Sequence, residues 1–164
     1  MPIKLVVFDV DDTLWNASVT FASFLKPPIR LIETNELTDS RDAGVKLFPG
    51  VRETLKSLQE KGILISIASL NDPEPNLVME CFKLFGIADY FIYPQINHKG
   101  KNRNIKAILK LLKERDGIEI NYSEVLFVDD QELNLKSVRK GCPGINALHL
   151  GSDINSISQI LKLL

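Results

Sequence analysis

The chain has 164 residues, 45% hydrophobic and 25% charged, with a formal net charge of -1, a length and balance that suit one globular domain with a real core. Lys and Arg are spread along it, densest only in "HKGKNRNIK" at 98–106, so no basic footprint for nucleic acid stands out. Two widely spaced cysteines, Cys81 and Cys142, make neither a disulfide framework nor a metal knuckle, and no leader pattern or apolar run of roughly 18 residues argues for export or a membrane, which leaves the cytoplasm as the expected compartment.

Five short apolar runs recur along the chain, at residues 3–8, 63–68, 90–93, 125–128 and 146–150. They are rich in Val, Ile and Phe and lack polar alternation, as strands buried on both faces of a parallel sheet do. After the first run, residues 16–48 break the rhythm with "PPIRLIE", a polar stretch and "VKLF", which reads as a small hairpin-like insert too short for a lid domain. A helix over 50–61 follows, with Val51, Leu55 and Leu58 on one face and Gly62 as its stop. Beyond the second run, "NDPEP" offers Asp72 as a cap and Pro73 as the first helical residue of a helix ending at Gly86. Residues 102–116 repeat the scheme with Ile105, Ile108, Leu109 and Leu112, and 133–140 and 154–164 make the last two helices. Strands alternating with helices predict an α/β fold with a doubly wound, mostly parallel five-stranded sheet, its ligand crevice beyond the carboxyl ends of the strands.

Those ends carry the chemistry. "LVVFDVDDTLW" places Asp9, Asp11 and Asp12 directly after the first run. If the strand continues, a period of two puts the Asp9 and Asp11 side chains on one face, roughly 7 Å apart, with Asp12 pointing away. Carboxylates gathered beside a core are costly without a cation, although a solvated turn would also use such residues. "LFVDD" ends the fourth run with Asp129 and Asp130; hard oxygen donors of this kind favour Mg²⁺, and regular strand geometry lets only one of the two face it. Ser69 ends the second run, where its hydroxyl and backbone N–H groups suit phosphate oxygens. Lys101, or its neighbour Lys99, precedes the third crossover helix and supplies a point cation. Asn134 either bonds a ligand carboxylate or starts a helix. Trp15, Phe21 and Phe24 either wall the site or fill local core.

The "DVDDT" stretch, with Asp9, Asp11 and Thr13 in matching places, resembles the Asp-x-Asp-x-Thr signature of the haloacid dehalogenase superfamily. The later Ser69, Lys101 and closing "DDQELN" follow that superfamily's motif order, and "DDTLW", the short insert and the small size resemble its magnesium-dependent phosphatase branch. The resemblance implies a single domain over 1–164 with 16–48 as a small insert. It implies that Asp9 is a nucleophile forming an aspartyl phosphate and that Asp11 is general acid and base. It places Mg²⁺ on the Asp9 carboxylate, the Asp11 main-chain carbonyl and Asp130, with Thr13, Asp129 and Asn134 in support. The phosphate-binding positions are then Ser69, Leu70 and Lys101. Leu70 departs from the pattern, since the magnesium-dependent phosphatases commonly carry Arg there, and Leu cannot form a bidentate clamp.

The expected substrate is a phosphorylated small molecule or phosphoprotein. Two other readings use the same pocket chemistry: a phosphotransferase, and a receiver-type phosphoacceptor module that is phosphorylated without turnover. A receiver carries its acidic pair early and its acceptor Asp on a middle strand, which is not the order found here.

Overall fold

The computed structural model describes residues 2–17 and 21–164. Along the chain come β1 (Leu5–Phe8), β2 (Trp15–Asn16), β3 (Arg30–Glu33), β4 (Glu36–Thr38), β5 (Gly44–Leu47), α1 (Val51–Glu60), β6 (Leu64–Ser69), α2 (Leu77–Phe85), β7 (Gln95–Ile96), α3 (Lys101–Asp116), β8 (Val125–Asp129), α4 (Glu132–Gly141) and β9 (Asn146–His149). Five of the strands pair in parallel in the order β7-β6-β1-β8-β9. The expected α/β sheet is therefore present, with β1 at its centre.

Every side chain of β1 is fully buried. Alternation sends Val6 and Phe8 into one core cluster, packed with α1, α2 and the C-terminal turns, and Leu5 and Val7 into another, packed with α3 and α4. Each such side chain contributes about 1.5–3 kcal/mol relative to exposure. The two covered faces explain why the run lacks polar alternation.

Three elements differ from the sequence expectation. Residues 90–93 are not the paired third strand: Ala88–Tyr90 form a 3-10 turn, Phe91 touches Ile65 through an isolated bridge, and the ladder resumes as β7. Tyr93 stands at φ 49 and Pro94 lacks an N–H, so the run breaks at that point. Asp72 and Pro73 do not open α2. Pro75 disfavours helical backbone for Glu74, and the helix starts beyond it, capped by Asn76 accepting from Met79 N at 3.1 Å. Residues 154–164 give a 3-10 helix over Ile157–Leu163 rather than an α-helix. Ile154, Ile157 and Ile160 are all buried, and a spacing of three lines up on a 3-10 turn.

The insert is more regular than a simple hairpin. It forms an antiparallel sheet in the order β2-β5-β4-β3; residues 18–20 lie outside the described residues. Gly44, opposite Thr38 at the start of β5, lets the two strands approach closely, because a Cβ there would come 1.9 Å from Leu37 O. Trp15 anchors the sheet to α2, its ring centroid 5.2 Å from Phe82 and 6.1 Å from Phe85.

Candidate active site

The chain leaves β1 as a turn. Asp9 N still donates to Val128 O at 3.0 Å, but Thr13 N and Leu14 N then close on Val10 O at 3.1 and 2.8 Å. Asp12 adopts φ 59, which Asp tolerates better than most residues, and its carboxylate accepts from Ala17 N at 2.9 Å. The expectation that Asp9 and Asp11 prolong a regular strand is thus corrected. Their carboxylates have separate partners.

Asp9 lies at the centre of the crevice. Lys101 Nζ donates to its Oδ1 at 2.5 Å and Thr13 Oγ1 to its Oδ2 at 3.0 Å, with Asp130 Oδ1 3.4 Å from the same hydroxyl. Lys101 is the first residue of α3 and only 2% exposed. Its ammonium also donates to Ala68 O at 2.6 Å and stands 3.4 Å from Asp129 Oδ2. Lys99 is exposed and does not line the cavity. Asp129, fully buried, accepts from Gln131 N at 2.8 Å and Asn134 Nδ2 at 3.0 Å.

One oxygen from each of Asp9, Asp129 and Asp130 lies within 4.8 Å of the others. Both members of the late pair therefore reach the centre, unlike the expectation from strand geometry. The strand ends at Asp129, which frees Asp130 from the alternation. Burial, with the nearby Asp9 charge, pushes Asp129 up to about 6 and Asp130 up to about 7. Burial alone would lower Lys101, yet the Asp9 and Asp129 carboxylates outweigh it and hold its pKa raised.

Asp11 turns to other partners. It accepts from Trp15 Nε1 at 2.7 Å, Asn71 Nδ2 at 2.8 Å and Ala22 N at 3.4 Å. Burial raises its pKa, and the Asn71 and Trp15 hydrogen bonds offset part of that rise. Asn71 also donates to the buried Ser69 Oγ at 2.8 Å. Sequence reasoning passed over Asn71, Gln131 and the Trp15 indole. For Asn71 a signal existed: it is an amide two residues beyond Ser69, just past the end of the strand.

These groups enclose a cavity of about 150 Å³ that includes Asp9, Asp11, Ser69, Lys101 and Asp130, with Phe21 and Leu70 at its lip, 46% and 40% exposed. Phe24 does not line it, and Trp15 is core. A hard divalent cation fits this set. The donors are all oxygen, and three carboxylates against one ammonium leave two negative charges uncompensated when all are ionised.

The geometry agrees with what the chain is similar to. A family model described as Acid Phosphatase matches residues 2–156. Human magnesium-dependent phosphatase 1 is 31% identical over 163 residues, covering 97% of this chain and 85% of the relative. Among solved structures, the N-terminal part of a Bacteroides fragilis protein, containing a phosphatase domain complexed with Mg, has a TM-score of 0.70 at 20% identity; the match covers 99% of this chain and 40% of that one. A haloacid dehalogenase superfamily hydrolase from Ehrlichia chaffeensis has a TM-score of 0.68 at 17% identity, covering 99% and 96%. The chain belongs to the acid phosphatase family, in its magnesium-dependent phosphatase-like branch, and has the fold of the haloacid dehalogenase superfamily hydrolase it resembles.

Proposed function

We infer that this protein is a Mg²⁺-dependent phosphatase that hydrolyses phosphomonoesters through an aspartyl phosphate on Asp9. The observation that carries this is the convergence of Lys101, Thr13, Asp129 and Asp130 on the Asp9 carboxylate. Asp9, Asp130 and the Asp11 main-chain carbonyl would hold the metal, with Asp129 in support. When bound, Mg²⁺ supplies positive charge that lets an anionic carboxylate and an anionic phosphate approach each other.

The chain's own groups divide the remaining work. Asp9 attacks phosphorus while the bond to the leaving oxygen breaks, and Asp11 gives that oxygen its proton. Asp11 then takes a proton from the water that attacks phosphorus, releasing inorganic phosphate and restoring Asp9. Lys101 Nζ, Ser69 Oγ and the backbone at Leu70 hold the transferring oxygens, where charge spreads in the transition state. Thr13 fixes one Asp9 oxygen and Asn134 orients Asp129.

The small insert leaves the crevice open, which suits a phosphoprotein as well as a phosphorylated small molecule. Residues 1–164 are read as one domain with 16–48 as its insert. Both cysteines are buried and free, as suits a reducing compartment such as the cytoplasm. Among the described residues, no helix is long and apolar enough to cross a membrane.

The test is release of inorganic phosphate from a panel of phosphorylated metabolites and phosphopeptides with Mg²⁺. Turnover should vanish on chelation and in Asp9→Asn, and undiminished turnover of Asp9→Asn would reject the reading. A new phosphoester in place of free phosphate would identify a transferase. A stable phosphorylated protein without turnover would identify a receiver-type module.

A further inference from the structure

Asp11 marks the side of the crevice from which a leaving group departs, because the proton it gives must reach the departing oxygen. Ala22 N donates to its Oδ1 at 3.4 Å and Asn71 Nδ2 to its Oδ2 at 2.8 Å. The residues that precede these two donors, Phe21 and Leu70, both line the cavity and are exposed at its lip. Phe24, 63% exposed, extends that lip, its ring centroid 6.1 Å from the Phe21 ring.

The lip is tied down. Phe24 N donates to Phe21 O at 2.9 Å and closes the 3-10 turn Ala22–Phe24. Within that turn Ser23 gives its N and Oγ to Asn71 Oδ1 at 3.1 and 2.6 Å, and its Oγ accepts from Asp72 N at 2.8 Å. The turn that carries the phenyl rings and the loop that carries Leu70 are thus one wall. Apolar side chains fixed at the mouth of a polar site, with water on them, gain by being covered.

The same wall has no polar group to spare at its joint. The Asn71 amide is fully engaged: Nδ2 donates to Asp11 and Ser69, and Oδ1 accepts twice from Ser23. The hydroxyls of a sugar or the amides of a peptide laid there would lose water without finding a partner, which is costly. A hydrocarbon chain has none to lose.

We propose that the substrates are phosphate monoesters of apolar alcohols, whose alkyl chain leaves the cavity across Phe21, Phe24 and Leu70. The inference rests on the reading of the crevice as a phosphatase site and names its class of ester. The phosphoryl group takes the polar floor between Asp9, Ser69 and Lys101, and Asp11 meets the ester oxygen at the foot of the lip.

Alkylphosphonates carry a P–C bond that hydrolysis leaves intact, so they read the lip without turnover. Titration calorimetry of the Mg²⁺-loaded protein, from methylphosphonate to hexylphosphonate, should show affinity rising about twofold per methylene, less than the roughly fourfold of full burial because the lip is open on one side. Phe21→Ser and Phe24→Ser should each cut the hexyl-to-methyl ratio from roughly 30-fold to about fivefold or less. Leu163→Ser, an exposed apolar change on the C-terminal 3-10 helix, should leave that ratio whole. Both Phe side chains are exposed, and urea midpoints check that the variants fold. Hexyl phosphate and a hexose 6-phosphate are both primary esters of like reactivity, and kcat/KM should favour hexyl phosphate by about tenfold or more. An affinity that is absent or flat across the series overturns the proposal. So does a ratio unchanged in both Phe variants, or a hexose 6-phosphate or phosphoserine peptide preferred over hexyl phosphate. If the phosphatase reading alone fails, no ester yields inorganic phosphate while the phosphonate slope remains.

Discussion

Asn71 Nδ2 donates to Asp11 Oδ2 at 2.8 Å while its Oδ1 accepts from Ser23 N at 3.1 Å and Ser23 Oγ at 2.6 Å. The Ser23 hydroxyl in turn accepts from Asp72 N at 2.8 Å. One amide thus joins the insert, the loop after β6 and the proposed acid and base. Asn71 is 3% exposed, so no water replaces its bonds readily. Removing it leaves Asp11 able to rotate about Trp15 Nε1. Asn71→Ala should lower kcat about 10- to 100-fold, the cost of a hydrogen bond to a charged group, with KM changed less than threefold. Ser23→Ala should show a weaker version of the same pattern. Steady-state kinetics check both, and an unchanged kcat in Asn71→Ala would remove Asn71 from the positioning of Asp11.

Crowding of carboxylates at the centre has a cost in the metal-free protein. Burial and Asp9 push Asp130 up to about 7 and Asp129 up to about 6 in the fold, against about 3.9 in an unfolded chain. A carboxyl raised in this way favours the fold while it is protonated in both states. That stability is lost as pH rises from about 4 through 7, because the unfolded chain then binds fewer protons than the folded one. Metal-free protein should therefore have a lower urea midpoint at pH 8 than at pH 5.5. Asp130→Asn should recover on the order of 1 kcal/mol at pH 8 after allowance for solvent screening, and Mg²⁺ should do the same to the wild type by binding the ionised form. A midpoint that rises from pH 5.5 to 8 without metal would contradict this account.

Much of that centre was legible from residue order. Asp9, Ser69, Lys101 and Asp129 each follow or precede an apolar run or helix pattern, and a parallel sheet gathers such ends on one side. What could not be read was local backbone geometry. Asp12 at φ 59 bends the chain, so that Asp11 meets Trp15 and Asn71 rather than the partners of Asp9. The α2 start was misplaced because Asp72-Pro73 resembles a cap while Pro75, two residues on, excludes the helix. The insert reads as a hairpin, but its extension to a four-stranded sheet stays hidden because about half the strand residues are polar and each strand is four residues or shorter.

Asp39 gives the opposite pH response. Burial would raise its carboxyl, but it accepts from Lys26 N at 2.9 Å, Arg41 N at 2.7 Å, Ala43 N at 3.1 Å and Arg41 Nη2 at 2.9 Å. These donors hold it well below the usual carboxylate range. The stability it contributes is present above the unfolded value of about 3.9 and is lost as pH falls below it. Asp39→Asn sets an amide N–H₂ against N–H donors and should lower Tm by about 5 °C at pH 7. The difference from wild type should shrink toward pH 3. A gap that stays constant from pH 7 to pH 3 would mean that the clamp is not electrostatic.

Leu70 stands where the resemblance to the magnesium-dependent phosphatases leads one to expect Arg. The residue sits at the lip of the cavity, 40% exposed, one position beyond the buried Ser69. Exposure leaves room for a longer side chain without repacking the core, so Leu70→Arg should fold as the wild type does. A guanidinium at that lip can grip two phosphate oxygens at once, whereas the buried Lys101 acts as a point charge already engaged by Asp9 and Asp129. Because such a grip exists in ground and transition states alike, it should lower KM for phosphomonoesters about tenfold and leave kcat nearly unchanged. Inorganic phosphate should become a stronger competitive inhibitor by a similar factor, and both effects should weaken as salt rises. If instead kcat rises and KM holds, the Arg acts on charge that develops during transfer, and the natural Leu70 then limits the chemical step rather than the affinity.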